Sequence, residues 1–143
     1  MWYCDSGATK HITPNKQNFI SYSEFSVPEV ISLGKQEVIM HAYGQGMIKI
    51  QIRKDNTWDS AEMRNVLYVP DASANLFSVK AAALNGYSTT LDNESVVIRE
   101  KISKNSVMTG YVRNGLYVLN MRAVKPEITT QVNVVTSSDT LQL

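Results

Sequence analysis

The chain has 143 residues, of which 43% are hydrophobic, so it is long enough and apolar enough to fold as one domain with its own core. Its 14 basic and 13 acidic side chains give a net charge of +1, which leaves no basic field of the kind that binds nucleic acid strongly. The sequence has no apolar run of roughly 18 residues that would cross a membrane, and its single cysteine, Cys4, excludes an internal disulfide and a cysteine-rich zinc site.

Alternation of apolar and polar residues predicts a chain that is mostly β. A short apolar strand over residues 2–4 ends at Asp5, and residues 14–22 are interpreted as a loop or a short helical turn. Gly44 and Gly46 interrupt a long strand-like run and predict a bulge or a close approach of another backbone. The further predicted strands are residues 27–33, 38–52, 58–69, 88–91, 95–99, 106–113 and 116–121.

One stretch changes to helical periodicity. In "NLFSVKAAALNGY", residues 75–87, Leu76, Val79 and Ala83 follow helical spacing, and the three alanines favour a helix. Gly86 stands where a glycine commonly follows the last helical turn. The sequence therefore predicts one short helix.

The opening stretch "WYCDSGAT" places Asp5 at the end of an apolar strand, directly before a turn. Gly7 permits a sharp turn, and Ser6 supplies a hydroxyl that can tie the turn to another strand. A rigid turn with an apolar base and an open face is the setting that an acid–base aspartate requires. Such an aspartate works with a second one, so that one carboxyl acts as base on a water and the other as acid toward a carbonyl.

No second copy of this pattern occurs in the chain. "DSA" at Asp59 lacks the glycine and the apolar approach, "DAS" at Asp71 follows a proline, and "DTL" at Asp139 lies in a polar stretch. The second carboxylate is therefore expected from another molecule, with two copies of Asp5 meeting at a two-fold axis. The triplet alone is weak support, because Asp, Ser and Gly are common in turns.

Three stretches together carry a resemblance to a known family. "WYCDSGATKHIT" resembles the active-site segment of retroviral-type aspartic proteases, and more closely that of copia-type LTR retrotransposons, where D-S-G-A-[ST] is followed by one variable residue and His. "VLYVPDASANLFSVKAAALNGYSTTL" and "GLYVLNM" resemble later segments of copia-type polyproteins, in the same order. The resemblance implies a mainly β, acid-protease (retropepsin-like) closed β-barrel or sheet fold with one short helix, completed by homodimerisation.

The resemblance also implies an activity and a set of site residues. It implies an aspartic endopeptidase that processes a Gag-Pol polyprotein, with Asp5 as the catalytic residue and Ser6 and Gly7 in the active-site turn and the dimer contact. His11 is interpreted as a polar residue that closes this turn rather than as a ligand, and Cys4 as a small buried hydrophobe rather than a nucleophile. The implied substrate-binding residues are Ala8 and Thr9 beside the turn and Gly34, Lys35, Gln36 and Glu37 in a flap hairpin.

Two details of the resemblance stay open. The segment 43–46 competes with 34–37 as the flap, because it holds the glycines that retroviral flaps have, although it leaves a very short return strand. Retroviral proteases also have a glycine before the helix, where this chain has "DASAN". Asn75 is carried over as the residue that leads into the helix, and the glycine is not.

The predicted organisation has three parts. Residues 1–101 form the retropepsin-like protease domain, residues 102–123 a strand pair leading toward the pre-integrase segment, and residues 124–143 a linker or tail. The expected partners are a second copy of the chain and peptide segments of its own polyprotein, with no membrane and no direct nucleic-acid binding. No cofactor and no metal is expected, and the expected location is cytoplasmic, within virus-like particles.

Two other functions remain open from the sequence. The fold could serve as a catalytically inactive, dimerising peptide-binding module of a host-encoded or decayed element, although the intact D-S-G-A-T speaks against decay. The third possibility is a β-rich structural domain whose turn only resembles the site.

Overall fold

Twelve strands and one short helix make up the part of the chain that the structure, a computed structural model, describes: residues 1–33, 38–126 and 141–143. A 3₁₀ turn at Lys16–Asn18 and the helix α1 at Val79–Leu84 accompany the strands. The strands are β1 (Trp2–Asp5), β2 (Ile12–Thr13), β3 (Phe19–Leu33), β4 (Val38–Lys54), β5 (Thr57–Tyr68), β6 (Asn75–Ser78), β7 (Tyr87–Leu91), β8 (Ser95–Glu100), β9 (Ser106–Arg113), β10 (Leu116–Leu119), β11 (Met121–Ala123) and β12 (Leu141–Gln142).

These strands form a single sheet in the order β11-β4-β5-β2-β6-β1-β10-β9-β8-β7, with β3 added beside β4 and β12 beside β5. Three pairs are parallel, namely β1 with β6, β2 with β5 and β12 with β5. The prediction of a mainly β fold with one short helix is confirmed for the described residues. The path through the sheet is open at β11 and β7 over those residues.

Most predicted strands lie where the sequence places them, because their turns carry local signals. The β9–β10 hairpin turns at Asn114 and Gly115, whose φ angles of 52° and 77° are the left-handed values that this dipeptide adopts readily. Gly46 lies where a side chain would collide with the backbone of Ser21 in β3, and the β4–β5 register shifts next to it. The predicted bulge or close approach at Gly46 is therefore confirmed.

Some element boundaries differ from the prediction. Asn75–Ser78 is strand β6, paired with β1, and the helix covers only Val79–Leu84. Residues 14–22 contain the 3₁₀ turn but also the start of β3, which begins at Phe19 rather than at residue 27. The segment 43–46 lies inside β4 and pairs with both β3 and β5, so the alternative flap at this position is wrong.

Hydrophobic side chains gather in two clusters. The larger contains Trp2, Phe77 and Ile98 and joins the β4–β5 half of the sheet to the β7–β10 half. The smaller packs one face of the β3–β4 hairpin against residues that include Ile12 and Leu67. Across the three described ranges, no helix is long and apolar enough to cross a bilayer.

Candidate functional site

Asp5 is the last residue of β1, a strand that lies between β6 and β10 within the sheet. In the parallel pairing of β1 with β6, Asp5 stands opposite Ser78, the last residue of β6. Its side chain is half-buried, so the carboxylate sits where an apolar strand meets the surface. The local sequence explains the position of Asp5. Trp2 anchors the start of the strand in the main core, and the chain bends at Gly7 directly after the strand.

The turn fixes one carboxylate oxygen of Asp5. The backbone N–H of Gly7 donates a hydrogen bond to Asp5 Oδ1 over 2.7 Å. A Cβ atom at Gly7 would lie 3.3 Å from the same oxygen, which is a crowded contact, so glycine allows this close return of the carboxylate. Asp5 Oδ2 has no hydrogen-bond partner within the described part of the chain.

The other residues of the predicted site differ in exposure. Ser6, Gly7 and Thr9 are exposed, whereas Ala8 is 2% exposed and turns its side chain inward. Ala8 contributes to the turn through its backbone carbonyl oxygen, which accepts a hydrogen bond from Ser78. The assignment of Ala8 and Thr9 to substrate binding stays a prediction.

Ser78 is bonded to the turn at Ala8, three residues after Asp5. Its hydroxyl donates to the carbonyl oxygen of Ala8 over 2.6 Å, and it accepts from the backbone N–H of Ala81 over 3.0 Å. The second bond makes Ser78 the N-cap of α1. Ser78 is fully buried, and its bond to Ala8 is shielded from water, whereas the bond from Ala81 is partly buried.

His11 completes the same network. Its Nδ1 accepts from the backbone N–H of Ser78 over 2.9 Å, and its ring lies 4.7 Å from the ring of Phe77 between centroids. Burial lowers the pKa of His11 to about 4, so the imidazole is neutral at physiological pH. His11 therefore closes the turn as a neutral acceptor.

Cys4 precedes Asp5 and does not act as an activated thiol. Desolvation, followed by the negative charge of Asp5, raises the pKa of Cys4 to about 11. The thiol is half-buried and packs against the main core. Only a very small fraction of Cys4 is therefore present as the nucleophilic thiolate at neutral pH.

Asn75 has a role other than the one carried over from the resemblance. It begins β6 instead of leading directly into the helix. Its Oδ1 accepts from Thr13 Oγ1 over 2.7 Å, and its Nδ2 donates to the carbonyl oxygen of Met1 over 3.1 Å. Asn75 thus ties the start of β1 to the end of β2, while Ser78 occupies the helix cap.

The predicted flap falls on the β3–β4 hairpin. Leu33 pairs with Val38, and these are the last described residues on either side of the predicted flap. Gly34, Lys35, Gln36 and Glu37 lie outside the described residues. β4 pairs with β5 from Gly44 onward, so among the described residues β3 is the one strand that pairs with β4 before Gly44. The hairpin therefore extends beyond the neighbouring strand.

The sequence predicts Asp5 and its turn as a site but assigns no role to Ser78. The serine stands in the quoted segment "NLFSV", and a serine before an alanine-rich helical run is a typical helix cap. That signal points to the cap but not to the bond with Ala8. No group of three His, Cys, Asp or Glu residues able to hold a metal ion occurs within residues 1–33, 38–126 and 141–143.

Comparison with known proteins agrees with the Pol-type resemblance. A family model described as "Pol polyprotein, beta-barrel domain" matches residues 2–87. The matched range includes β1, the Asp5 turn, β6 and α1, and therefore both partners of the bond between Ala8 and Ser78. No solved structure matches the chain. Because the match covers more than half of the sequence, this chain belongs to the Pol polyprotein β-barrel domain family.

Proposed function

We propose that this domain is an aspartic endopeptidase that processes a retrotransposon Gag-Pol polyprotein of the copia type. The observation that carries the proposal is the Asp5 turn. One carboxylate oxygen is held by the Gly7 N–H over 2.7 Å, and the other has no partner among the described residues. An oriented, half-buried aspartate with one free oxygen suits acid–base work on a water molecule. Its position in a Pol polyprotein domain supports polyprotein cleavage as the task.

The active unit is a homodimer that contributes one Asp5 from each subunit. Two such carboxylates share one proton, because two adjacent negative charges cannot both persist. The ionised carboxylate takes a proton from water while the water oxygen attacks the scissile carbonyl carbon, and the protonated carboxyl gives its proton to the carbonyl oxygen. As the resulting diol collapses, the carboxyl that took the water proton gives it to the nitrogen, and the ionised carboxylate takes one hydroxyl proton from the diol. The C–N bond breaks, which releases the amine and a carboxylic acid. Water is the nucleophile, so no covalent intermediate forms.

Residues around Asp5 have supporting tasks in this proposal. Ser6 is exposed beside the carboxylate and links the two turns across the axis, while Thr9 lines the cleft for the substrate backbone. The β3–β4 hairpin acts as the flap, and it grips an extended peptide as an added strand. One face of this hairpin packs on the cluster that contains Ile12, directly after the turn. Dimerisation completes the retropepsin-like barrel, and the setting is the cytoplasm, within virus-like particles.

The test uses a precursor that contains the domain and its natural flanking segments. The parent is compared with Asp5→Asn, and with Asp59→Asn and Asp71→Asn as matched controls at exposed aspartates. Self-processing is followed on a gel with and without pepstatin. We expect the parent and both controls to be cleaved, with inhibition by pepstatin, and Asp5→Asn to remain intact.

Two other outcomes would overturn the proposal. If neither the parent nor Asp5→Asn is cleaved and both form folded dimers, the domain is a peptide-binding module without turnover. If Asp5→Asn is processed as fast as the parent, Asp5 is only a turn residue.

A further inference from the structure

Three parts of the chain meet at one buried serine. The Ser78 hydroxyl donates to the carbonyl oxygen of Ala8 in the turn and accepts from the N–H of Ala81 in the helix. The Ser78 backbone N–H donates to His11 Nδ1. We propose that Ser78 and His11 are positioning residues that hold the Asp5 turn in the shape needed for its chemistry. This inference rests on the proposed function, although the shape of the turn is measurable without it.

The register of the sheet brings Ser78 to Asp5. β1 and β6 run parallel, and Asp5 and Ser78 are partners at the last position of this pairing. The chain leaves β1 at Asp5, passes through the turn, and returns at His11 before β2. Ser78 lies between these two ends, because it is paired with Asp5 and bonded to Ala8 and His11. A shift of Ser78 therefore displaces both sides of the turn.

Two hydrogen bonds of this junction, from Ser78 to Ala8 and from Ser78 to His11, are buried, and the bond from Ala81 is partly buried. His11 and Ser78 are 1% and 0% exposed, so water cannot replace a lost partner. The Ser78 hydroxyl donates to Ala8 and accepts from Ala81, which uses its one proton. The Ser78 N–H needs a separate acceptor, and His11 Nδ1 supplies it over 2.9 Å.

Only one ring nitrogen of His11 has a partner. His11 Nε2 is buried and bonds to nothing in the described part of the chain, so the positioning role belongs to Nδ1. An asparagine places its Oδ1 near the position of Nδ1 and has no atom near that of Nε2. A leucine fills similar space and offers no acceptor. The pair His11→Asn and His11→Leu therefore separates the hydrogen bond from the packing.

The first readout is the self-processing rate of the precursor. Because misplacing a reacting group by about 1 Å can cost about 10²-fold in rate, we expect losses of that size in His11→Leu and Ser78→Ala. His11→Asn should retain most of the parent rate. Ile98→Val is the control, because Ile98 is fully buried in β8, and β10 and β9 separate that strand from β1 in the sheet. It should process at the parent rate.

The second readout does not depend on activity. Amide hydrogen exchange at Gly7 reports the bond to Asp5 Oδ1. Exchange should speed up in His11→Leu and Ser78→Ala, and stay near the parent value in His11→Asn and Ile98→Val. Ser78→Ala keeps the N–H that His11 accepts, so it serves as a separate arm if His11→Leu does not fold.

The outcomes distinguish this inference from the proposed function. If the parent is not cleaved but exchange at Gly7 follows the expected order, the protease assignment fails and the positioning of the turn stands. If His11→Asn and His11→Leu exchange alike at Gly7, the positioning inference is wrong whatever the activity. The same holds if Ile98→Val slows processing as much as Ser78→Ala does.

Discussion

The backbone N–H of Leu143 donates a hydrogen bond to the carbonyl oxygen of Glu62 over 2.7 Å. The carbonyl oxygen of Leu143 in turn accepts from the N–H of Arg64 over 3.1 Å, and Leu141 pairs with Ala61 in parallel register. The Leu143 side chain is fully buried in the main core. Residues 141–143 are thus part of the sheet, although the sequence predicts a linker or tail over 124–143.

Replacing Leu143 tests whether this strand stabilises the domain. Leu143→Ala should lower the free energy of unfolding by about 2–5 kcal/mol, because it removes a buried leucine side chain and leaves a cavity. Leu84→Ala is the matched control, since Leu84 is 88% exposed at the end of α1, and it should change stability by less than about 0.5 kcal/mol. Urea unfolding of both variants measures the difference. Equal stability of the two would show that residues 141–143 contribute little.

Local signals explain which elements the sequence predicted well. The hairpin at Asn114 and Gly115 and the strands β7 and β8 depend on turn residues and alternation within a few positions. The helical spacing of Leu76 and Val79 predicts that Asn75–Ser78 belongs to the helix, whereas the structure has a strand there. The same residues pair with β1, which is distant in the sequence, and that pairing imposes strand geometry.

The candidate site divides in the same way. The Asp5 turn was predictable, because the strand, the aspartate and the glycine are consecutive. The contribution of Ser78 was not, because its bond to Ala8 depends on the parallel pairing of β1 and β6. The strand β12 is not predictable for a similar reason, since this short segment becomes a strand by pairing with β5, which is distant in the sequence.

A substitution at Gly46 tests the close approach of β3 and β4. A Cβ atom at this position would collide with the backbone of Ser21, so Gly46→Ala should destabilise the domain by about 1–3 kcal/mol, a typical result of overpacking. Gly115→Asn is the control, because Gly115 lies in open space with a φ of 77° that asparagine tolerates. Thermal unfolding compares the two. A loss in Gly115→Asn as large as that in Gly46→Ala would count against a steric cause.

His11 makes stability depend on pH. Burial lowers the pKa of His11 from 6.5 to about 4, so between these values the unfolded chain binds a proton that the folded protein does not. The free energy of unfolding is therefore roughly 3 kcal/mol higher above pH 6.5 than below pH 4, and the difference is lost as the pH falls through 4.

The matched variants for this pH dependence are His11→Asn and His41→Asn. His11→Asn should remove the decline in the free energy of unfolding over that pH range, whereas His41→Asn, at an exposed position in β4, should keep it. Urea unfolding at several pH values provides the measurement. An unchanged decline in His11→Asn would show that another group is responsible.

Cys4 should react slowly while the protein is folded. Burial and the nearby Asp5 charge raise the pKa of Cys4 from 9.0 to about 11, so alkylation near pH 8 should be about 10²-fold slower than in the unfolded chain. Since Cys4 is the single cysteine, iodoacetamide labelling followed by mass spectrometry reports this site alone. Equal rates in buffer and in denaturant would contradict a buried, protonated thiol.

The proposed active site takes one Asp5 from each of two chains. Subunit mixing tests it most directly: parent precursor is combined with increasing amounts of Asp5→Asn precursor under conditions that allow exchange, and self-processing is measured. Because hybrid dimers hold a single Asp5, an equal mixture should contain active dimers at about a quarter of the total. Parent activity should fall as Asp5→Asn is added, whereas added Asp59→Asn should leave it undiminished. Activity that stays proportional to the amount of parent, whatever amount of Asp5→Asn is present, would contradict a site shared between subunits.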